Sequence, residues 1–142
     1  MRVLVAPDKF AGTLTAVQAA EAIAAGWRAG RPDDELDLAP LSDGGPGFVD
    51  VLHRALGGEI IRIEVTGPLG DPVVAPMLRA GDRTYLESAT ACGLDLLPRD
   101  RRDPEAAGTY GVGELLAAAL DAGAAEVVVG LGGSASNDGG AG

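Results

Sequence analysis

The chain has 142 residues, of which 46% are hydrophobic, and a formal net charge of −10 at pH 7. Its 21 acidic and 11 basic residues argue against nucleic acid or an anionic membrane as a partner, because both need a basic protein surface. The length suits one domain or part of a larger protein, and the single cysteine, Cys92, excludes an internal disulfide and fits a reducing compartment.

The first half of the chain alternates between strand and helix patterns. Apolar runs separated by turn residues predict the order strand–helix–strand–helix–strand over residues 2–6, 15–30, 35–41, 46–56 and 59–65. Thr15, followed three residues later by Gln18, predicts a capping box at the start of the first helix. No signal peptide is expected, because the first strand begins directly after Met1. No apolar run reaches the ~20 residues of a membrane span.

Short connections between these elements are typical of a parallel sheet with helices on its faces, and they predict an α/β fold with a Rossmann- or flavodoxin-like sheet in residues 1–66. The segment "TGPLGDP" (66–72) predicts a crossing into a second lobe, 67–142. There an antiparallel strand pair is expected first. A charged loop, a helix, a strand and a glycine-rich loop are expected to follow.

Acidic and amide side chains follow three of the predicted strands: Asp8, Asp43, and Asn137 with Asp138. Ligands of open α/β sheets bind beyond the carboxyl ends of the strands, so we expect these side chains to share one cleft. Carboxylates without a histidine beside them suit Mg²⁺, and one Asp could orient a substrate hydroxyl in phosphoryl transfer.

The segment "GGSASNDGG" (132–140) predicts a ligand-binding loop. Glycines allow the backbone to approach a ligand closely, Ser134 and Ser136 add hydroxyl donors, and a following helix would direct its N-terminus at an anion. A mobile glycine turn or a helix cap is the alternative. Residues 130–135 also fit G-x-G-x-x-A of dinucleotide-binding proteins, whereas the absence of GK[ST] excludes a Walker P-loop.

Three further positions have two interpretations each. Asp43 with Gly44 and Gly45 either approaches a metal or substrate, or caps the next helix through Ser42 or Asp43 itself. Lys9, the only lysine, either meets phosphate or carboxylate oxygens or is solvated at a loop tip. Glu87, in an apolar setting, either needs a partner or metal or lies exposed at a strand end.

Six motifs, taken in order along all 142 residues, closely resemble the N-terminal part of bacterial glycerate kinases of the two-lobed type: "VLVAPDKF", "LSDGGPG", "VTGPLGDPV", "ESATACGL", "TYGVGELL" and "GLGGSASNDGGAG". The resemblance implies a cytoplasmic kinase with two α/β lobes that uses ATP and Mg²⁺ to phosphorylate D-glycerate. The protein is also expected to form a homodimer. Because members of the family continue far beyond this point, the chain is interpreted as a truncated fragment that is inactive alone.

The resemblance supports most of the expected site, because eight positions match the family pattern: Asp8, Asp43, Gly44, Gly45, Glu87, Ser134, Asn137 and Asp138. Lys9, Gly132, Gly133 and Ser136 are added from the residue patterns alone. The expected catalytic residues are Asp8, Lys9, Asp43 and Asp138, with Asp43 and Asp138 as metal ligands. The expected substrate- and phosphate-binding residues are Gly44, Gly45, Glu87, Gly132, Gly133, Ser134, Ser136 and Asn137. The chain departs from the family pattern at five positions, which bear on the finer substrate contacts: Ala11, Pro46, Phe48, Gly108 and Val112.

Two other functions are kept as alternatives. The G-x-G-x-x-A match favours a dinucleotide-dependent oxidoreductase. The departures at Ala11 and Pro46 favour a non-catalytic module that binds a small acid.

Overall fold

The structure, a computed structural model, describes residues 1–142, which divide into the units Met1–Asp43 and Gly44–Gly142. The first unit contains two strands and one helix: β1 (Arg2–Val5), α1 (Ala16–Gly30) and β2 (Glu35–Leu38). β1 and β2 pair in parallel, with Val5 opposite Leu38. This pairing confirms a parallel sheet in the first part of the chain.

The predicted capping box at the start of α1 is confirmed. The Thr15 hydroxyl accepts the backbone N–H of Gln18 at 3.1 Å, and the Gln18 side chain accepts the backbone N–H of Thr15 at 2.9 Å. These two bonds satisfy donors that the first turn of a helix leaves without partners. They explain why the helix begins at Ala16.

The second unit contains four strands and three helices: α2 (Phe48–Leu56), β3 (Glu59–Thr66), β4 (Pro72–Ala80), β5 (Arg83–Glu87), α3 (Ala89–Cys92), α4 (Tyr110–Asp121) and β6 (Glu126–Gly130). Short 3₁₀ helices lie at Leu94–Leu96 and Arg99–Arg101. The strands form one sheet in the order β3-β4-β5-β6, antiparallel except for the parallel pair β5–β6. The mixed sheet with helices confirms the α/β prediction.

The two faces of this sheet pack against different helices. Met77 and Leu86 pack with Leu115 of α4 on one face, whereas Leu78 packs with Val49 of α2 on the other. All five are almost fully buried, and burying one such side chain stabilises a fold by about 1.5–3 kcal/mol. The sheet therefore fixes α2 and α4 on opposite faces. No helix combines the length and the apolar character that crossing a bilayer requires.

The sequence analysis was wrong about the partner of β3 and about the role of residues 66–72. β3 pairs with β4 and not with the parallel strands of the first unit, since Thr66 lies opposite Pro72. A tight turn joins the two strands, with Gly67 N–H donating to the Asp71 carbonyl at 2.7 Å. A turn this short joins antiparallel strands only, because parallel strands need a long crossover. The segment is thus a hairpin turn, and the units divide between Asp43 and Gly44 rather than near residue 66.

Candidate functional site

In the first unit, the loop after β1 brings Lys9 to two acidic residues. The Lys9 ammonium donates to Asp43 Oδ1 at 3.0 Å and lies 4.0 Å from Asp8 Oδ1. Asp8 Oδ1 also accepts the backbone N–H of Lys9 at 2.6 Å. Asp8 and Asp43 are thus brought together around Lys9, as predicted. The contact between Lys9 and Asp43 is long-range, because 34 positions separate them in the sequence.

This first group is accessible to solvent. The side chains of Asp8 and Asp43 are 40% and 66% exposed, whereas that of Lys9 is only 22% exposed. Lys9 is therefore ion-paired and partly covered, which contradicts its interpretation as a solvated lysine at a loop tip. The group presents two carboxylates and one cation, a set that suits a hydroxyl-bearing acid or a metal–phosphate ligand.

In the second unit, the glycine-rich loop after β6 is fixed by backbone hydrogen bonds to the segment after α3. Ala135 N–H donates to the Cys92 carbonyl at 2.7 Å, and Leu94 N–H donates to the Gly133 carbonyl at 2.8 Å. The Ala135 methyl group is buried with Leu97. These contacts favour a positioned loop over the alternative of a mobile glycine turn.

The same loop packs backbone to backbone against Gly44 and Gly45. A Cβ atom on Gly132 would lie 2.8 Å from Gly45 Cα, and one on Gly130 would lie 2.7 Å from the Gly44 carbonyl oxygen. Real Cβ atoms do not approach other atoms so closely, so glycine is required here. The structure thus explains these glycines by contact between two loops of the protein.

Glu87, at the carboxyl end of β5, accepts hydrogen bonds from the backbone at the start of α2. Its Oε2 accepts the backbone N–H groups of Gly47 at 3.1 Å and Val49 at 3.3 Å. Gly47 is the N-cap residue and has no side chain, so Glu87 supplies the cap, and the predicted capping by Ser42 or Asp43 is wrong. Glu87 is 5% exposed, which contradicts its interpretation as a surface residue. Burial raises its pKa, against the opposing effect of the bonds from Val49 and Gly47.

Asp138 holds the loop after β6 to the start of α4. Its Oδ2 accepts both the backbone N–H and the hydroxyl of Thr109 at 2.8 Å, and its Oδ1 accepts Gly140 N–H at 3.1 Å. The Gly140 bond, followed by the Thr109 hydroxyl, lowers the pKa of Asp138 below its ordinary value. Residues 131–142 contain no helix, and the helix N-terminus beside this loop belongs to α4, which precedes it in sequence.

A pocket of about 510 Å³ lies between the loop and the start of α4. Its polar lining consists of hydroxyl-bearing side chains and one carboxylate: Ser88, Thr109, Ser134, Ser136 and Asp138. Val112, Leu116 and Leu131 provide apolar walls, and no Lys or Arg lines it. Ser134 and Ser136 thus lie at a pocket as the sequence predicted, whereas Asn137 is exposed and is not among the lining residues.

Sequence reasoning missed Ser88 as a pocket residue. Ser88 follows Glu87 directly at the end of β5, and its backbone N–H donates to the carbonyl of Gly130 at the end of β6. The feature that could have revealed Ser88 is the parallel pairing of β5 and β6, which brings residue 88 and the glycine-rich loop to the same edge of the sheet.

No group of three or more His, Cys, Asp or Glu side chains is arranged to hold a metal ion in the structure. Mg²⁺ in phosphoryl-transfer sites is bound by one or two carboxylates together with phosphate and water oxygens. Asp43 and Asp138, as single carboxylates, fit that donor set. The expectation that the residues of the two units share one cleft stays a prediction.

Comparison with known proteins gave consistent matches. A sequence model described as the glycerate kinase family matches residues 3–142. An uncharacterised protein of Mycobacterium bovis is 56% identical over 146 residues, and a protein named glycerate kinase from Bacillus subtilis is 48% identical over 144 residues; each alignment covers 100% of this chain. A crystal structure described as that of a candidate glycerate kinase 2 from Salmonella typhimurium LT2 matches 99% of this chain with a TM-score of 0.79 and 43% identity. The chain spans 38% of the length of each of these three proteins.

Proposed function

This chain belongs to the glycerate kinase family, and on that premise we propose that the complete protein transfers the γ-phosphoryl group of ATP to a hydroxyl group of D-glycerate. The observation that carries the proposal is the fixed loop 132–140, whose serine hydroxyls line a pocket at the start of α4. A rigid loop of this kind can position a small substrate, and phosphoryl transfer is catalysed mostly by positioning and electrostatic stabilisation.

The proposed roles follow the chemistry of each group. Asp8 and Asp43 orient the substrate hydroxyl, and Lys9 neutralises charge that develops on the transferred phosphoryl group. The backbone and hydroxyl groups of Gly132, Gly133, Ser134, Ser136 and Asn137 hold oxygens of the phosphate or of the glycerate. Glu87 acts indirectly, because it fixes the start of α2 beside Gly44 and Gly45.

Mg²⁺ is the proposed cofactor, with Asp43 and Asp138 as its protein ligands. When bound, the ion would neutralise phosphate oxygens. A cytoplasmic location and a homodimeric state stay predictions of the sequence analysis.

The structure gives no support to the oxidoreductase alternative. In dinucleotide-binding proteins the glycine fingerprint opens a helix whose N-terminus meets the pyrophosphate. Residues 131–142 contain no helix, and the pattern from Gly130 to Ala135 therefore lacks that structural context.

A coupled assay of ADP release, with the complete protein, ATP and D-glycerate, tests the kinase proposal. We expect glycerate-dependent turnover that falls roughly a hundredfold or more in Asp43→Asn and in Asp138→Asn. Absence of turnover together with measurable D-glycerate binding would favour the non-catalytic module. Full activity in both variants would refute the assignment of the site.

A further inference from the structure

Ser88 has a buried hydroxyl group without a partner. The residue is only 3% exposed, and its Oγ is the one buried side-chain oxygen or nitrogen that has no hydrogen-bond partner in the structure. Leaving such a group unpaired is unfavourable, and nearly all buried polar groups in proteins are paired. Because Ser88 is also a lining residue of the pocket, its unpaired hydroxyl points to a ligand as the missing hydrogen-bond partner.

The fold does not need this hydroxyl for its own geometry. The backbone N–H of Ser88 donates to the Gly130 carbonyl at 3.1 Å, and its carbonyl accepts the N–H groups of Ala91 at 3.0 Å and Cys92 at 2.9 Å. These backbone bonds are available to any residue at this position. The hydroxyl itself has no structural role in the free protein.

The pocket's charge restricts the chemistry of its ligand. Its only ionisable carboxylate is Asp138, and no cationic side chain lines it. A neutral hydroxyl group needs no cationic partner to bind there, whereas an anionic group would need a bound cation such as Mg²⁺ beside Asp138.

The walls of the pocket support the same choice. Val112, Leu116 and Leu131 contribute apolar surface beside the hydroxyls of Ser88 and Ser134. A pocket of mixed polarity without a cation suits a ligand part that carries hydroxyl groups on a carbon framework.

We infer that Ser88 is a ligand-binding residue, whose Oγ hydrogen-bonds to a hydroxyl-bearing, uncharged part of a ligand in this pocket. The inference rests on the proposed function for the identity of that ligand. Under that function two molecules offer such a part: D-glycerate, through its alcohol groups, and ATP, through its ribose.

The test compares the complete protein with its Ser88→Ala variant. The KM values for D-glycerate and for ATP are measured separately, and thermal unfolding is followed without ligand and with D-glycerate, adenosine or inorganic phosphate. We expect Ser88→Ala to weaken the binding of D-glycerate or of adenosine roughly three- to tenfold, as loss of one hydrogen bond does. The KM that rises identifies which of the two molecules enters the pocket. Binding of inorganic phosphate should not change.

The stability of the free protein separates a binding role from a structural one. Because the hydroxyl has no partner, its removal should leave the melting temperature of the free protein unchanged or raise it. Thr90→Val is the matched control: the Thr90 hydroxyl donates to the Glu87 carbonyl at 2.7 Å, so this variant should melt lower with both KM values unchanged.

Three results would overturn the inference: unchanged affinity for both D-glycerate and adenosine, a lowered melting temperature of the free Ser88→Ala protein, or a loss confined to phosphate binding. Failure of the kinase proposal is distinguishable from these, because the unfolding measurements need no turnover. If the wild-type protein binds neither D-glycerate nor adenosine, the inference fails as well.

Discussion

Asp138 accepts both the backbone N–H and the hydroxyl of Thr109, each at 2.8 Å, and so fastens the loop after β6 to the residue that precedes α4. Thr109 is the N-cap residue of α4, yet its hydroxyl makes no capping bond. The carboxylate of Asp138 instead occupies the positive end of the helix dipole, where a negative charge is favourable. The Asp138 carboxylate thus stabilises the start of α4 and also lines the pocket.

Replacement of Asp138 by Asn should destabilise the protein at neutral pH. Asn keeps one acceptor oxygen but loses the charge, and its NH₂ group can only donate, so Asn cannot replace both acceptor oxygens of Asp138. Because the pKa of Asp138 is lowered on folding, the stability it provides is present above the ordinary carboxyl value of 3.8 and is lost as the pH falls through the folded pKa. Urea unfolding of both proteins from neutral to acidic pH measures this difference.

The control for this prediction is Asp121→Asn, at the exposed end of the same helix. A surface substitution of this kind changes the free energy of unfolding by about 0.5 kcal/mol or less. A wild-type advantage over Asp138→Asn that stays constant down to strongly acidic pH would contradict the assigned role.

For Glu87 we expect the opposite dependence of protein stability on pH. Burial raises its pKa, so the folded state binds the Glu87 proton more tightly than the unfolded state does. Its contribution to stability is therefore greatest below the ordinary value of 4.5 and is lost as the pH rises through the folded pKa. Relative to Glu87→Gln, which does not titrate, the wild type should lose stability over that range in urea unfolding. A difference that grows with pH would contradict this prediction.

The capping role of Glu87 is tested separately by Glu87→Ala. That variant leaves the N–H groups of Gly47 and Val49 without their acceptor, and we expect a loss of about 1–3 kcal/mol at neutral pH. Glu87→Gln should lose less, because its carbonyl oxygen still accepts a bond. Equal stability of the Ala variant and the wild type would show that the cap is unimportant.

Local patterns in the sequence predicted the elements that local interactions decide. The capping box at Thr15 and the antiparallel pairing of the segments 73–80 and 84–89 were predicted because both depend on neighbouring residues, and β4 pairs with β5 in this way. β3 was misassigned because regular alternation of strands and helices indicates a parallel sheet, whereas its partner is decided by the turn between Gly67 and Asp71. The pattern of apolar residues within β3 does not indicate which strand β3 pairs with.

The candidate site was predicted in part for the same reason. Ser134, Ser136 and Asp138 were recognised because they lie in one glycine-rich segment. Ser88 was missed, since its place at the pocket depends on the parallel pairing of β5 with β6, strands that are separated by α3 and α4. The role of Glu87 as a cap also depends on a long-range contact, between residues 40 positions apart.

Gly132→Ala should disturb the contact between the two glycine-rich segments. The added Cβ would lie 2.8 Å from Gly45 Cα and 3.0 Å from Gly45 N, and backbone atoms cannot move aside as a flexible side chain can. We expect a loss of roughly 1–3 kcal/mol in the free energy of unfolding, the usual cost of overpacking. Gly26→Ala, at an open position inside α1, is the control and should stabilise by about 0.5–1 kcal/mol. Chemical unfolding measures both, and an unaffected Gly132→Ala protein would contradict the close contact.

Lys9→Met separates a catalytic role from a structural one. The ion pair between Lys9 and Asp43 is partly exposed, so its loss should cost less than about 1 kcal/mol of stability. Under the proposed function, removing the cation should lower kcat of the complete protein roughly a hundredfold, since a group that stabilises transition-state charge is lost. Arg2→Met breaks the exposed pair with Asp37 and should change neither quantity appreciably. Glycerate-dependent ADP release and thermal unfolding of the three proteins decide the point. A Lys9→Met enzyme with wild-type kcat would exclude Lys9 from the chemistry, and one that unfolds far more easily would make its role structural.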